Sequence, residues 1–88
     1  MRSLLIAEQY KRDVRRLHKK RYDLSKLTRT VEILRQNGAV PVSQSPHKLH
    51  GKWSTHWECH IEDNWILVYK VDAVFVYLYR TGTHDDLF

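Results

Sequence analysis

The sequence is poor in the features that mark secreted, membrane-spanning and metal-stabilised proteins. It has one cysteine, Cys59, which excludes an internal disulfide and fits a reducing, cytoplasmic environment. It has no apolar stretch long enough to span a membrane, and the apolar run within residues 1–7 is too short for a signal peptide. It has no Cys-x-x-Cys pair. We therefore expect a cytoplasmic protein with no membrane association, no metal and no cofactor.

Size and charge predict one small domain with a polyanionic partner. The chain has 88 residues, so we expect a single domain over residues 1–88 with one modest core. The hydrophobic fraction of 42% and the aromatic fraction of 11% suffice for a globular fold. The net charge of +5 and the sequence pI near 9.6 favour RNA, DNA, an anionic surface or an acidic protein as partner.

Hydrophobic spacing predicts a strand and two helices in the first half of the chain. Residues 4–7 form a short apolar run that is typical of a strand. A helix follows from about residue 9 to residue 20, and most of the seven Lys and Arg between residues 11 and 21 lie on its outer face. Its inward residues recur at helical spacing: Tyr10, Val14 and Leu17. A second helix is capped by Asp23 and stops at Gly38, which predicts an antiparallel helical hairpin.

A change to period two predicts strands in the second half of the chain. Residues 39–52 contain both prolines and are expected to form a loop. The next strand has two alternating sets, Trp57, Cys59 and Ile61 against Glu58, His60 and Glu62. Residues 65–71 are apolar on both parities, as in a central strand, and residues 74–79 form a further strand. The order βααβββ predicts an α+β fold with a helical hairpin packed on an antiparallel-rich sheet.

Histidines and an arginine in the second half suggest cleavage of a phosphodiester without a metal. Attack by a ribose 2′-hydroxyl on the neighbouring phosphate needs a base, an acid and a cation that holds the developing charge. Histidine exchanges protons near neutral pH, and arginine can bind phosphate through two donors. His60, His84 and Arg80 supply this set if the mid-chain strand and the carboxy-terminal tail meet.

Plainer interpretations of the same residues stay open. The polar positions of the alternating strand, which include His56, also fit a solvated sheet face, with the apolar set facing the helices. The basic run of the first helix is either a solvated face or a surface for phosphate or an acidic partner. A metal site is the rival for the histidine pairs His47/His50 and His56/His60, but neither pair lies on a convincing helix. Cys59 is expected in the core.

Three spaced motifs resemble the YafQ-like branch of the RelE/ParE superfamily of bacterial type II toxins. They are His47-x-Leu49-x-Gly51-x-Trp53, residues 58–62 leading into residues 65–70, and Arg80-Thr81-Gly82-Thr83-His84-x-x-Leu87-Phe88. The resemblance covers almost the whole chain, although the helical half matches in pattern only. It implies a microbial-RNase-like fold and ribosome-dependent cleavage of mRNA. It also implies a cognate antitoxin, which neutralises the toxin and binds promoter DNA.

The resemblance also implies the site residues. It places the family's active-site positions on His47, His60, His84 and Phe88, with His84 at the scissile phosphate, His60 and His47 near the 2′-hydroxyl, and Phe88 against a base. The family's aspartate position falls on Asn64 here, which cannot accept a proton, so the neighbouring Asp63 is the possible substitute. Further cationic and hydroxyl side chains are expected to bind RNA phosphates: Arg80, Thr81, Thr83, Lys52, Lys11, Arg15 and Lys19.

Two other functions share this scaffold. ParE-type relatives bind DNA gyrase and do not cleave RNA, although they have no need of the pair formed by His60 and His84. The change at Asn64 also leaves room for a weakened toxin that acts mainly as an antitoxin-bound repressor. Neither function is excluded by the sequence.

Overall fold

The computed structural model describes residues 1–88 and packs two helices against one face of a five-stranded sheet. The elements in chain order are β1 (Ser3–Ile6), α1 (Glu8–Lys19), α2 (Leu24–Asn37), β2 (His47–Lys48), β3 (Trp57–Glu62), β4 (Trp65–Val71), β5 (Phe75–Gly82) and α3 (His84–Leu87). Short 3-10 turns lie at Val42–Gln44 and Gly51–Trp53. No helix combines the length and the apolar character needed to cross a membrane.

The sheet confirms the predicted α+β class and adds one strand to it. The strand order is β1-β5-β4-β3-β2, in which β1 runs parallel to β5 and the other neighbours are antiparallel. The segment predicted as a loop contains β2, which pairs His47 with Glu58 and Lys48 with Trp57. The sequence prediction missed this strand because two residues between turns are too few to show a period of two.

Two hydrophobic cores explain why β4 is apolar on both parities. Trp65, Leu67 and Tyr69 belong to the larger core, which also contains the buried apolar residues of α1 and α2. Ile66 and Val68 lie in a smaller core on the other face, where Leu87 of α3 packs against them. The tail is therefore part of the fold, and α3 is fixed on the sheet face that is opposite to the helical hairpin.

The ends of the helices follow the predicted signals. The Asp23 carboxylate accepts a hydrogen bond from the Ser25 amide at 3.1 Å and so caps α2. Gly38 ends α2 in the left-handed conformation with φ of 76°, and a Cβ there would lie 2.7 Å from an Arg2 guanidinium nitrogen. The helix α1 begins and ends one residue earlier than predicted.

One charged residue of α1 departs from the predicted solvated face. Asp13 is fully buried, and its carboxylate accepts hydrogen bonds from Arg80 Nε at 2.8 Å and Nη2 at 3.2 Å. It also accepts from Arg16 Nη2 at 3.2 Å and from the Thr81 amide at 3.1 Å. This buried carboxylate therefore ties the end of β5 to α1.

Candidate functional site

Three histidines that are distant in sequence meet around one buried carboxylate. Glu58 on β3 is only 3% exposed, and its Oε1 lies 3.0 Å from His84 Nε2 and 3.3 Å from His47 Nε2. The ring of His60 has its centroid 6.1 Å from that of His84. Both histidines that contact Glu58 are about half exposed. The buried carboxylate therefore holds the two imidazoles, and solvent reaches their outer sides.

The strands place two members of this cluster by their register. Glu58 and His60 are two residues apart on β3 and therefore project from the same face of the sheet. His47 on β2 lies directly opposite Glu58, a position at which side chains on paired strands touch. Glu58 and His60 thus face away from the helices as predicted, and Glu58 is buried there because β2 and the tail cover it. The prediction was wrong for Glu62, which follows a register shift, lies opposite Trp65 and pairs with Lys26 of α2 at 3.4 Å.

The tail places His84 through a capped helical turn. The Thr83 hydroxyl accepts from the Asp86 amide at 3.1 Å, and the Thr83 amide donates to Asp86 Oδ2 at 3.4 Å. This reciprocal capping box fixes the first turn of α3, and Leu87 anchors its end in the smaller core. Gly82 precedes the cap with φ of 149°, and a Cβ there would meet Arg16 Nη2 at 3.2 Å.

Hydrogen bonds to main-chain carbonyls fix the protons of two imidazoles. The Nδ1 of His60 donates to the Asp63 carbonyl at 3.2 Å, because a carbonyl oxygen can only accept. Its Nε2 then carries the lone pair in the neutral ring and can take a proton. The Nδ1 of His47 donates in the same way to the Ser45 carbonyl at 3.2 Å, while its Nε2 faces Glu58.

A hollow of about 390 Å³ borders His47, Glu58 and His84 on their exposed side, and His60 is not among the residues that line it. We refer to it as the histidine hollow, and it is lined by His47, Leu49, His50, Trp53, Glu58, His84 and Phe88. Phe88 is 56% exposed, with its ring centroid 6.2 Å from that of His84 and 6.1 Å from that of Trp53. The hollow therefore combines proton-exchanging groups with an exposed aromatic ring.

The structure gives three predicted phosphate-binding residues other partners. Arg80 uses two guanidinium nitrogens to bind Asp13. Thr81 is fully buried, and its hydroxyl accepts from Trp65 Nε1 and donates to the Ile66 carbonyl, both at 2.9 Å. A phosphate contact from Thr81 is incompatible with this burial. The Thr83 hydroxyl accepts a hydrogen bond from the Asp86 amide and so caps α3.

The predicted lysines and the arginine of α1 remain at the surface. Lys11, Arg15 and Lys19 are exposed on α1, and Lys11 pairs with Glu8 at 3.2 Å. The helix lies on the helical face of the sheet, whereas the histidine hollow lies on the opposite face. Lys52 is exposed in the turn Gly51–Trp53. Its neighbour Trp53 lines the histidine hollow, so Lys52 lies beside the hollow, unlike the three cations of α1.

Asp63 and Asn64 lie in the exposed turn between β3 and β4. Both line a second, polar hollow of about 680 Å³ together with residues of the turn between α1 and α2. Asp63 contacts His60 through its main-chain carbonyl, which would be present with any side chain.

Sequence reasoning missed Glu58 as a site residue. The alternation of β3 placed it among the polar positions but gave no sign that the position is covered. The available signal was an acidic residue two positions before His60, on the same predicted strand face. Cys59 lies in the core as expected, and burial raises the pKa of its thiol to about 12, so the thiol stays protonated.

Comparisons with known proteins identify relatives along the whole chain. A family model described as the bacterial toxin of type II toxin-antitoxin system, YafQ, matches residues 2–88. The mRNA interferase toxin YafQ of Escherichia coli K12 is 34% identical over 88 residues, which cover 99% of this chain and 96% of that protein.

Solved structures of similar proteins share the fold. The E. coli DinJ-YafQ complex matches with a TM-score of 0.90 and 31% identity, covering 100% of this chain and 99% of that one. A copper-bound mutant toxin from Helicobacter pylori matches with a TM-score of 0.92 and 32% identity, covering 100% of both chains. The fold and these matches define a small α+β toxin of a bacterial type II toxin-antitoxin system. Within that class, the chain belongs to the YafQ family, as the sequence motifs indicated.

Proposed function

We propose that this protein is an mRNA-cleaving toxin that acts on the ribosome, needs no metal ion and is neutralised by a cognate antitoxin. The similarity to an mRNA interferase supports the substrate. The observation that carries the chemistry is the cluster in which His47 and His84 contact the buried Glu58 while His60 lies 6.1 Å from His84. A site of this kind offers both proton acceptors and proton donors on one accessible surface.

The reaction is a transesterification within the RNA strand. The 2′-hydroxyl oxygen attacks the adjacent phosphorus, and the bond from phosphorus to the 5′-oxygen of the next nucleotide breaks. One group removes the 2′-hydroxyl proton, and another gives a proton to the departing 5′-oxygen. The products are a 2′,3′-cyclic phosphate and a 5′-hydroxyl, and no net proton is consumed.

The geometry favours one assignment of these roles. His60 is the base, because its Nδ1 is held by the Asp63 carbonyl and its Nε2 lone pair is free for the 2′-hydroxyl proton. His84 is assigned as the acid at the scissile phosphate, because its Nε2 lies 3.0 Å from the buried Glu58 carboxylate, which can pair with the ring when it carries the proton. Each proton transfer contributes on the order of 10²–10⁴ in rate. His47 adds a second cation beside Glu58, and Phe88 offers a face to a base.

The partners follow from charge and from the relatives. A surface with a net charge of +5 attracts ribosomal RNA, mRNA and an acidic antitoxin segment. A YafQ toxin has been crystallised with its antitoxin DinJ, and we infer an equivalent partner here. Promoter DNA would be contacted through that antitoxin, and the protein would act in the cytoplasm without a membrane partner.

The test compares His84→Ala with His18→Ala, a histidine on the exposed surface of α1. We expect His84→Ala to abolish growth arrest and mRNA cleavage while its circular dichroism and thermal unfolding stay unchanged, and His18→Ala to remain fully toxic. Products should carry a 2′,3′-cyclic phosphate, and cleavage should persist in EDTA. A toxic, folded His84→Ala variant contradicts the proposed site, whereas loss of cleavage in EDTA contradicts metal independence alone.

A further inference from the structure

A row of aromatic rings continues from the histidine hollow along the sheet. We refer to it as the aromatic strip, and its members are Trp53, His56, Tyr79, Tyr77 and Phe75. Consecutive ring centroids lie 5.0, 4.2, 6.4 and 5.8 Å apart. At its inner end, Trp53 contacts Phe88 edge to face at 6.1 Å, so the strip begins at the wall of the hollow.

The strip lies on the face of the sheet that no helix of the hairpin covers. Tyr77 and Tyr79 alternate along β5 with Val76 and Leu78, which are buried in the core beneath α1 and α2. Tyr79 packs instead against the smaller core on the other face. The aromatic side chains are therefore partly exposed on the same surface as the histidine hollow.

The chemistry of the strip suits bases and phosphates. The rings of Tyr77 and Tyr79 are nearly parallel, at 17°, so neighbouring faces point the same way. Lys70 Nζ lies 5.5 Å from the Tyr77 centroid and puts a cation beside the rings. Burial, as the largest cause, lowers the pKa of His56, so its ring is neutral at physiological pH and packs as an aromatic group.

The strip ends at a fixed and acidic position. The Tyr77 hydroxyl donates to Asp72 Oδ2 at 2.8 Å, and the same carboxyl group accepts from the amides of Val74 and Phe75. The hydrogen bond joins Tyr77 to the turn between β4 and β5, and the carboxylate disfavours phosphate beyond it. The favourable surface for a polyanion thus runs from the hollow to Lys70 and Tyr77.

We propose that the aromatic strip binds the single-stranded RNA that continues from the scissile nucleotide, by stacking on its bases, while Lys70 contacts a phosphate. This inference rests on the proposed function, since it extends the substrate of the same site. Stacking on aromatic rings tolerates any base sequence and needs unpaired bases, which fits a strand of mRNA and not a duplex. A segment of antitoxin is the competing occupant, and the test below separates the two.

The test measures binding of oligoribonucleotides that are 2′-O-methylated and therefore cannot be cleaved. The probes are a trinucleotide, a single strand about nine nucleotides long, and the duplex of that strand, because aromatic platforms engage roughly four or more nucleotides. The variants are Tyr77→Ala, Tyr77→Phe and Trp57→Leu. Trp57 is the matched control, because it is 39% exposed but lies on the other parity of β3, opposite Tyr69.

We expect wild type to bind the long single strand more tightly than the trinucleotide or the duplex. Tyr77→Ala should weaken only the long strand, by about tenfold, since an aromatic contact contributes roughly one such factor per base. Tyr77→Phe and Trp57→Leu should bind like wild type, because the ring and not the hydroxyl stacks. At subsaturating mRNA, Tyr77→Ala should cleave more slowly than wild type in the presence of ribosomes. At saturating mRNA its rate should match that of wild type, because the defect lies in binding.

The proposal is overturned if Tyr77→Ala binds the long strand as wild type does, or if Tyr77→Phe loses as much affinity as Tyr77→Ala. It is also overturned if Tyr77→Ala weakens only a purified antitoxin, which would assign the strip to that partner. Failure of wild type to cleave mRNA at all would instead refute the proposed function, so the two failures are distinguishable. Thermal unfolding of each variant shows that a loss of binding is not a loss of fold.

Discussion

Two carboxylates on opposite sides of the sheet are buried to a similar degree but have different partners. Asp13 is fully buried and binds the guanidinium groups of Arg80 and Arg16 as well as a main-chain amide. Glu58 is almost as buried, but its partners are the imidazoles of His47 and His84. Arginine is always charged in proteins, whereas histidine gains and loses a proton near neutral pH.

Under the proposed function, the difference in partners separates a structural anion, Asp13, from an anion of the site, Glu58. Asp13 keeps permanent cations and therefore holds α1 to β5 under all ordinary conditions. Glu58 holds groups that exchange protons, and these groups are about half exposed, so substrate can reach them. Burial of an acidic residue alone does not mark a site; the protonation chemistry and the exposure of its partners do.

Replacing Glu58 with glutamine tests this contrast most strongly. The amide keeps the shape of the side chain but removes the negative charge beside His84 Nε2, so we expect cleavage to fall by about a hundredfold. The pH profile of cleavage should also change, which a purely structural residue would not cause. Glu62→Gln is the control, because Glu62 is exposed on the same strand and pairs only with Lys26. Unchanged activity and an unchanged pH profile in Glu58→Gln would show that Glu58, like Asp13, has a structural role only.

Replacing Asp13 with asparagine should affect stability and not chemistry. The change leaves the partly buried Arg80 without its anion, and we expect the free energy of unfolding to fall by about 3 kcal/mol, measured with denaturant. Cleavage per folded molecule should stay close to wild type. The control is Glu8→Gln, which breaks an exposed pair with Lys11 that contributes little. A large loss of cleavage in folded Asp13→Asn would instead support the prediction that Arg80, positioned by Asp13, binds the phosphate.

The sequence allowed the helices and the longer strands to be predicted, because each leaves a local pattern. The histidine set came instead from the chemistry of His60, His84 and Arg80 and from the resemblance of the motifs to a family, which added His47. A period of 3.6 residues marked α1, a period of two marked β3, and a run that is apolar on both parities marked β4; the caps at Asp23 and Gly38 were also correct. Alternation assigns a residue to a face of a strand but does not reveal whether another element covers that face. The burial of Glu58 depends on β2 and α3, and that of Asp13 depends on Arg80, more than sixty residues away.

Replacing Thr83 with alanine should have a smaller effect, because it removes a cap and no charge. Loss of an N-cap costs about 1 kcal/mol, so α3 should open more often and hold His84 less well. Cleavage should fall less than in Glu58→Gln, and amide hydrogen exchange in α3 should accelerate. Thr28→Ala is the control, because that hydroxyl bonds only within α2. Unchanged exchange in Thr83→Ala would show that Leu87 alone fixes the tail.

The pKa of Asp86 provides an independent measure of the cap that Thr83 forms at the start of α3. Partial burial acts to raise the pKa of Asp86, but hydrogen bonds with Thr83 outweigh it and leave the pKa below the usual value. A lowered pKa in the folded state means that the carboxylate stabilises the fold above its unfolded pKa, and that this stability is lost as the pH falls through the folded pKa. NMR titration should therefore show a higher pKa for Asp86 in Thr83→Ala than in wild type.

The smallest effect is expected from Asn64→Asp, which restores the carboxylate that the family pattern has at this position. Asn64 is exposed and lines the polar hollow beside the turn of the helical hairpin, not the histidine hollow. Exposed substitutions change free energies by about 0.5 kcal/mol or less, so cleavage should change by about twofold at most. Asp63→Asn should be equally mild, because Asp63 holds His60 through its main-chain carbonyl. A tenfold gain of toxicity in Asn64→Asp, measured by growth arrest at matched expression, would show that a second carboxylate acts on the histidines and that Glu58 does not act alone.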